Sequence, residues 1–153
     1  MINRRLFSTY SIVAADEREI GAAVQTHQMC VGSIVPWLLP GIGAVVTQSL
    51  VNISLGPIGL AMLDEETPSA KVVEAMAASD AEAHRRQFAV VDAEGEAAAF
   101  TGSGCIPEAG HRTGDGYSVQ GRYAAYNFDD FTVTNRYYTG NIVQLFVIKD
   151  FTL

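Results

Sequence analysis

A histidine set among glycines is the most chemically suggestive feature of this sequence. His111 lies in Gly110-His111-Arg112-Thr113-Gly114. A loop histidine of that kind can line a pocket and titrate near neutral pH. Hydroxyl and amide side chains gather where strands are expected to end, in Thr47-Gln48-Ser49 and Thr101-Gly102-Ser103. Strand ends beside glycine suit donors to an oxyanion or polar contacts to a substrate. They suit ordinary capping hydroxyls equally well. Ser33, in Val31-Gly32-Ser33, is of the same kind. Gln120 stands two residues from Ser118, so the two share a strand face and can line one wall. The substrate-binding candidates are therefore Ser33, Thr47, Gln48, Thr101, His111 and Gln120.

Other chemistries find less support. Cys30 and Cys105 are far apart, with no Cys-x-x-Cys pair or histidine cluster, so no metal site is expected. They read as two small buried thiols that need no disulfide. Asp64-Glu65-Glu66 reads as a solvated helix end. His27 and His84 are isolated, and Glu108 is a loop carboxylate near His111 in sequence. Phosphate-loop and dinucleotide fingerprints are absent, and no cofactor is expected.

Several elements would have to position these residues. Thr9–Ala15 and Glu19–Thr26 read as a strand hairpin, and Gln28–Val35 as a third strand stopped by Pro36. Gly41–Leu50 reads as a strand whose glycines point to close approach of other backbone or of a ligand. Gly56-Pro57 opens one helix. Thr67 as N-cap and Pro68 as first residue open another, running to Ser79-Asp80, with Val72 and Met76 on its buried side. Arg86–Asp92 and Ala97–Thr101 form a hairpin around Ala93-Glu94-Gly95. Gly102–Gly116 reads as a glycine-rich loop, and Tyr117–Tyr126 and Asn141–Ile148 as further strands. Strand runs separated from helix runs favour an α+β domain with antiparallel sheets.

The totals agree with a folded domain. The chain has 153 residues, 48% of them hydrophobic and 18% charged, which suits one domain with a real core. A net charge of −7 without a basic stripe argues against nucleic acid and anionic membranes. Small molecules, peptides or further copies of the chain are the expected partners. The apolar run Ile34–Val46 is too short and too broken by proline and glycine to span a bilayer. The first residues lack the apolar core of an export signal, so a cytoplasmic location is expected.

Taken in order, several blocks resemble the bacterial family called domain of unknown function 1028. They are Thr9–Ala14, Val31–Trp37, Gly43–Gln48, Leu55–Leu60, Arg86-Gln87, Val90–Asp92, Thr101-Gly102 and Ala109–Gly121. The resemblance covers residues 9–121 and implies an N-terminal-nucleophile hydrolase-like fold. That fold is an αββα sandwich, two antiparallel sheets face to face with helices on both outer faces. Residues 122–153 diverge, which implies an incomplete C-terminal helical layer. The domain is expected over residues 9–153, with 1–8 as an extension.

The same resemblance implies a catalytic role for Thr9, as nucleophile of a hydrolase acting on amide-like bonds. In that superfamily the side chain of the first residue attacks a carbonyl while its own α-amine serves as base. An α-amine with a pKa of about 7.7–8.0 suits that task. Eight residues precede Thr9 here. While they remain attached, its nitrogen is a non-basic amide. The alternative is a non-catalytic small-molecule-binding or self-assembling domain that retains the fold.

Overall fold

The computed structural model describes residues 9–26, 28–107, 109–122, 126–127, 132–133 and 142–149, with side chains as far as residue 121. Residues 1–8, His27 and Glu108 lie outside the described residues.

β1 (Thr9–Ala15) and β2 (Glu19–Thr26) pair as a hairpin in which burial alternates along each strand. Its turn is held by Asp16, whose carboxylate accepts from the backbone N–H groups of Arg18 and Glu19 at 2.8 and 2.9 Å. These strands join β8 (Tyr117–Arg122), β7 (Ala109–Gly114) and β11 (Ile142–Lys149) in a five-stranded sheet of order β11-β2-β1-β8-β7. A four-stranded sheet has the order β3-β4-β5-β6, from β3 (Pro36–Leu39), β4 (Gly43–Ser49), β5 (Arg86–Asp92) and β6 (Ala97–Thr101). Neighbouring strands in both sheets are antiparallel. The short strands β9 (Tyr126–Asn127) and β10 (Thr132–Val133) pair with each other.

Two apolar layers set the stacking. Val13, Ile20, Ala22 and Val24 of the larger sheet meet Ala44, Val46, Ala89 and Val91 of the smaller one. On the far side of the smaller sheet, Val45, Phe88 and Val90 pack against α1 (Leu55–Asp64) and α2 (Ser69–Ser79) through Leu55, Leu63, Val72, Val73 and Met76. β4 and β5 are thus covered on both faces, which is why they read as near-continuous apolar runs. The result is an α+β stack of sheet, sheet and helix pair. The second helical layer expected of an αββα sandwich has no counterpart among the described residues.

Glycine serves close packing at two points. A Cβ on Gly56 would overlap the Trp37 indole, so α1 rests directly on that ring. A Cβ on Gly43 would lie 2.6 Å from both Leu63 Cδ1 and Val91 O. Gly43, the first residue of β4, therefore admits protein and not ligand, whereas a Cβ on Gly41 would meet nothing within 4 Å.

Four local expectations need correction. Gln28–Val35 is not a strand; it contains a 3₁₀ turn at Val31–Ser33, and the strand begins at Pro36. Proline is tolerated there because it is the first residue of an edge strand. Ala109–Gly114, expected to be loop, is β7. As an edge strand with exposed polar residues it carries little apolar signal. Pro68 and not Thr67 occupies the N-cap of α2, without a side-chain cap, and Ser69 Oγ bonds instead to Asp92 Oδ2 at 3.1 Å and Glu96 O at 2.9 Å. Cys30 is exposed and Cys105 only half-buried; both are free thiols.

Candidate functional site

One end of the space between the sheets is polar. Ser11 lies directly opposite Gln120, and Gln120 opposite His111, so β1, β8 and β7 present these three on one face. On the facing sheet Gln48 lies opposite Gln87, and Gln87 opposite Thr101. Gln48 and Gln87 are 0% exposed and Gln120 is 2% exposed. Burial at that level requires hydrogen-bond partners, and these residues supply them to one another.

The contacts run continuously. Ser118 Oγ donates to Gln120 Oε1 at 2.9 Å, and Gln120 Nε2 to Ser11 Oγ at 2.7 Å. Ser11 Oγ crosses between the sheets to Gln48 Oε1 at 2.9 Å. Gln48 Nε2 donates to Gln87 Oε1 at 2.6 Å. Gln87 Nε2 lies 2.9 Å from Thr101 Oγ1, 2.9 Å from Gly110 O and 3.2 Å from Gly121 O. Thr101 Oγ1 finally meets His111 Nδ1 at 2.8 Å. Desolvation by burial lowers the His111 pKa from its ordinary value.

Thr9 stands at the border of this cluster. It opens β1, is 6% exposed, and faces Thr26 across the strand pair with the two hydroxyls 3.2 Å apart. Gln48 Nε2 approaches its backbone carbonyl at 3.5 Å. The polar cluster therefore brings together Thr9, Gln48, Thr101 and Gln120 of the residues singled out in the sequence, with His111 at its exposed end. It adds Ser11, Thr26, Gln87 and Ser118.

The remaining two candidates lie elsewhere. Thr47 is one residue out of phase with Gln48, so it faces the helices, where its Oγ1 lies 3.4 Å from Asn52 O. Ser33 is exposed and donates to Cys30 O within its own 3₁₀ turn at 2.7 Å. His84 is exposed, and its backbone packs against Gly102 and Gly104. Asp64, Glu65 and Glu66 are all exposed. Among the described residues, no group of three His, Cys, Asp or Glu is placed to hold a metal ion.

An ion pair braces the smaller sheet beside this cluster. Arg86 Nε lies 2.8 Å from Asp80 Oδ2, with both side chains largely buried, and Asn52 Nδ2 donates to the same oxygen at 2.9 Å. The Arg86 hydrogen bond holds the Asp80 pKa down at about 2. A concavity of about 290 Å³ lies on the opposite face of the larger sheet, lined by Ile12, Ala14 and Ala23 with Asp16 and Glu19 among its lining residues. It contains none of the candidate residues. Among the described residues no helix is long and apolar enough to cross a membrane, which says nothing of β-barrels.

Comparison with known sequences then places the molecule. The sequence pattern of DUF1028 matches residues 9–127. The chain belongs to DUF1028, a family of unknown function. Its DUF1028 region begins at Thr9, the first residue of β1. A solved structure of the same family, protein SPO2555 from Silicibacter pomeroyi, is similar to this chain with 30% identity and a TM-score of 0.75. The similarity covers 79% of this chain and 55% of that one, so the DUF1028 chain described here spans about half the length of its solved relative. No curated protein matches it.

Proposed function

We propose that this DUF1028 chain hydrolyses amide-like bonds of a small molecule or peptide, with Thr9 as an N-terminal nucleophile. One observation carries the reading. Thr9 is both the first residue of the family region and the first residue of an interior strand, with its hydroxyl at the edge of the polar cluster between two stacked sheets. The chemistry needs residues 1–8 removed. The freed α-amine then accepts the Thr9 hydroxyl proton as Oγ1 attacks the substrate carbonyl, giving an ester and releasing the amine product. Water hydrolyses that ester and returns the hydroxyl. Gln48, through the Thr9 carbonyl, and Thr26, through the hydroxyl, act as positioning residues in this scheme.

A second reading has an observation in its favour. Gln48, Gln87 and Gln120 direct their amides toward one another, toward hydroxyls and toward backbone carbonyls. A cluster saturated in this way also suits a non-catalytic binding or self-assembling domain, where it holds the sheets in register. Turnover of an amide or ester reporter separates the two. A chain beginning Met-Thr9, from which aminopeptidase removes the Met, is expected to turn over the reporter, and Thr9→Ala in it to abolish turnover. Equal turnover by both would rule out Thr9.

A further inference from the structure

The hydrogen-bond chain between the sheets has a single direction, and two backbone carbonyls set it. Gly110 O and Gly121 O only accept, and both lie within 3.2 Å of one end of the Gln87 amide. That end is therefore the NH₂ group, which leaves Oε1 toward Gln48. Gln48 must present its own NH₂ there, so its Oε1 faces Ser11 and the Ser11 hydroxyl donates. The Ser11 oxygen is then an acceptor for Gln120 Nε2, and Gln120 Oε1 accepts from Ser118. The same reasoning runs outward from Gln87. An amide nitrogen accepts nothing, so Thr101 Oγ1, 2.9 Å from Gln87 Nε2, is an acceptor there. Among the described residues the remaining acceptor for its hydroxyl proton is His111 Nδ1, at 2.8 Å.

We propose that this one-way chain holds His111 as a neutral imidazole with its proton on Nε2, making it a fixed hydrogen-bond donor to an acceptor oxygen of a ligand, a carbonyl or carboxylate. Nδ1 is occupied as an acceptor, so the proton of the neutral ring resides on Nε2. Among the described residues Nε2 has no hydrogen-bond partner, while the side chain is exposed at the edge of the sheet. Partial burial also favours the neutral ring. Thr101 is the positioning residue, and Gln87 acts through it. The ligand oxygen fits an amide substrate of the function proposed above and rests on that reading in this respect only; the tautomer does not.

Long-range proton–nitrogen correlation spectra of the full chain, labelled with ¹⁵N, test this at about pH 8, where an ordinary histidine is neutral. The expected spectrum for His111 shows a protonated Nε2 and an unprotonated Nδ1. Thr101→Val removes the hydroxyl donor, and the Nδ1–H form is expected to appear alongside. Thr101→Ser restores the hydroxyl and is expected to give the wild-type spectrum. Acetamide and acetate, as carbonyl and carboxylate probes, are expected to shift the Nε2 resonance. A wild-type Nδ1–H ring overturns the tautomer, and a Thr101→Val spectrum identical to wild type overturns the role of the chain in holding it. An Nε2 resonance unmoved by either probe overturns the donor role. None of these readouts depends on turnover, so they stand apart from the fate of Thr9.

Discussion

Replacing Gln87 with Leu tests the polar cluster at its centre. The shape is nearly kept, but Gly110 O, Gly121 O and the Gln48 amide each lose a partner. A buried group left unpaired costs about 1–3 kcal/mol. Gln48 keeps a long approach to the Thr9 carbonyl at 3.5 Å and Thr101 keeps His111, so these two lose less. Gly110 and Gly121 lie opposite each other in the β7–β8 ladder and Gly110 is only half-buried, so their carbonyls keep other partners, and the expected loss is about 1–3 kcal/mol against the roughly 5–15 kcal/mol that holds a domain together. Urea unfolding reads it directly. Gln48→Leu should be costly too, since it strands the Ser11 hydroxyl and Gln87 Oε1. The double variant should cost less than the two singles added, by about 1–2 kcal/mol, because each removes a group the other left unpaired. A loss below about 1 kcal/mol for Gln87→Leu, or strict additivity, would refute a closed cluster.

Two further outcomes follow from the packing and the ion pair. Gly56→Ala should destabilise by about 1–3 kcal/mol in urea, despite alanine's better helix propensity, because the added Cβ meets the Trp37 ring; a gain in stability would contradict that contact. Asp80 titrates at about 2 in the fold against 3.8 ordinarily, so its contribution is fully present above about pH 4 and is lost as pH falls toward 2. Thermal unfolding between those values should therefore show a steeper fall for wild type than for Asp80→Asn.

Much of the fold was legible because its signals are local. The β-branched and aromatic bias of Thr9–Ala15 and the polar turn after it gave β1 and β2, helical spacing placed Val72 and Met76 in the core, and Ala93-Glu94-Gly95 closed the β5–β6 turn. β7 was hidden because Gly110, Arg112 and Gly114 offer an edge strand no apolar period. The polar cluster was legible only in part. Gln48, Thr101, His111 and Gln120 carried signals of strand end or glycine neighbourhood. Ser11 and Gln87 carried no such signal of strand end or glycine neighbourhood, and their partners lie far along the chain: Gln120 reaches Ser11 across 109 residues and Gln48 reaches Gln87 across 39. Gln87 had one usable clue. A glutamine beside Phe88-Ala89-Val90-Val91, a run buried on both faces, has to be buried and therefore paired. Thr47 and Gln48 illustrate the converse: adjacent residues of similar polarity point to opposite layers, and only the sheet pairing tells which faces the interior.

The most direct test of Thr9 as nucleophile is the mass of the protein during turnover. A chain whose first residue is Thr9, mixed briefly with a slowly hydrolysed ester and quenched in acid, should gain the mass of one acyl group. Fragmentation should place that group on the Thr9 side chain, and Thr9→Ser should still acquire it. An unmodified mass throughout, or the same adduct on a Thr9→Ala chain, would contradict the assignment.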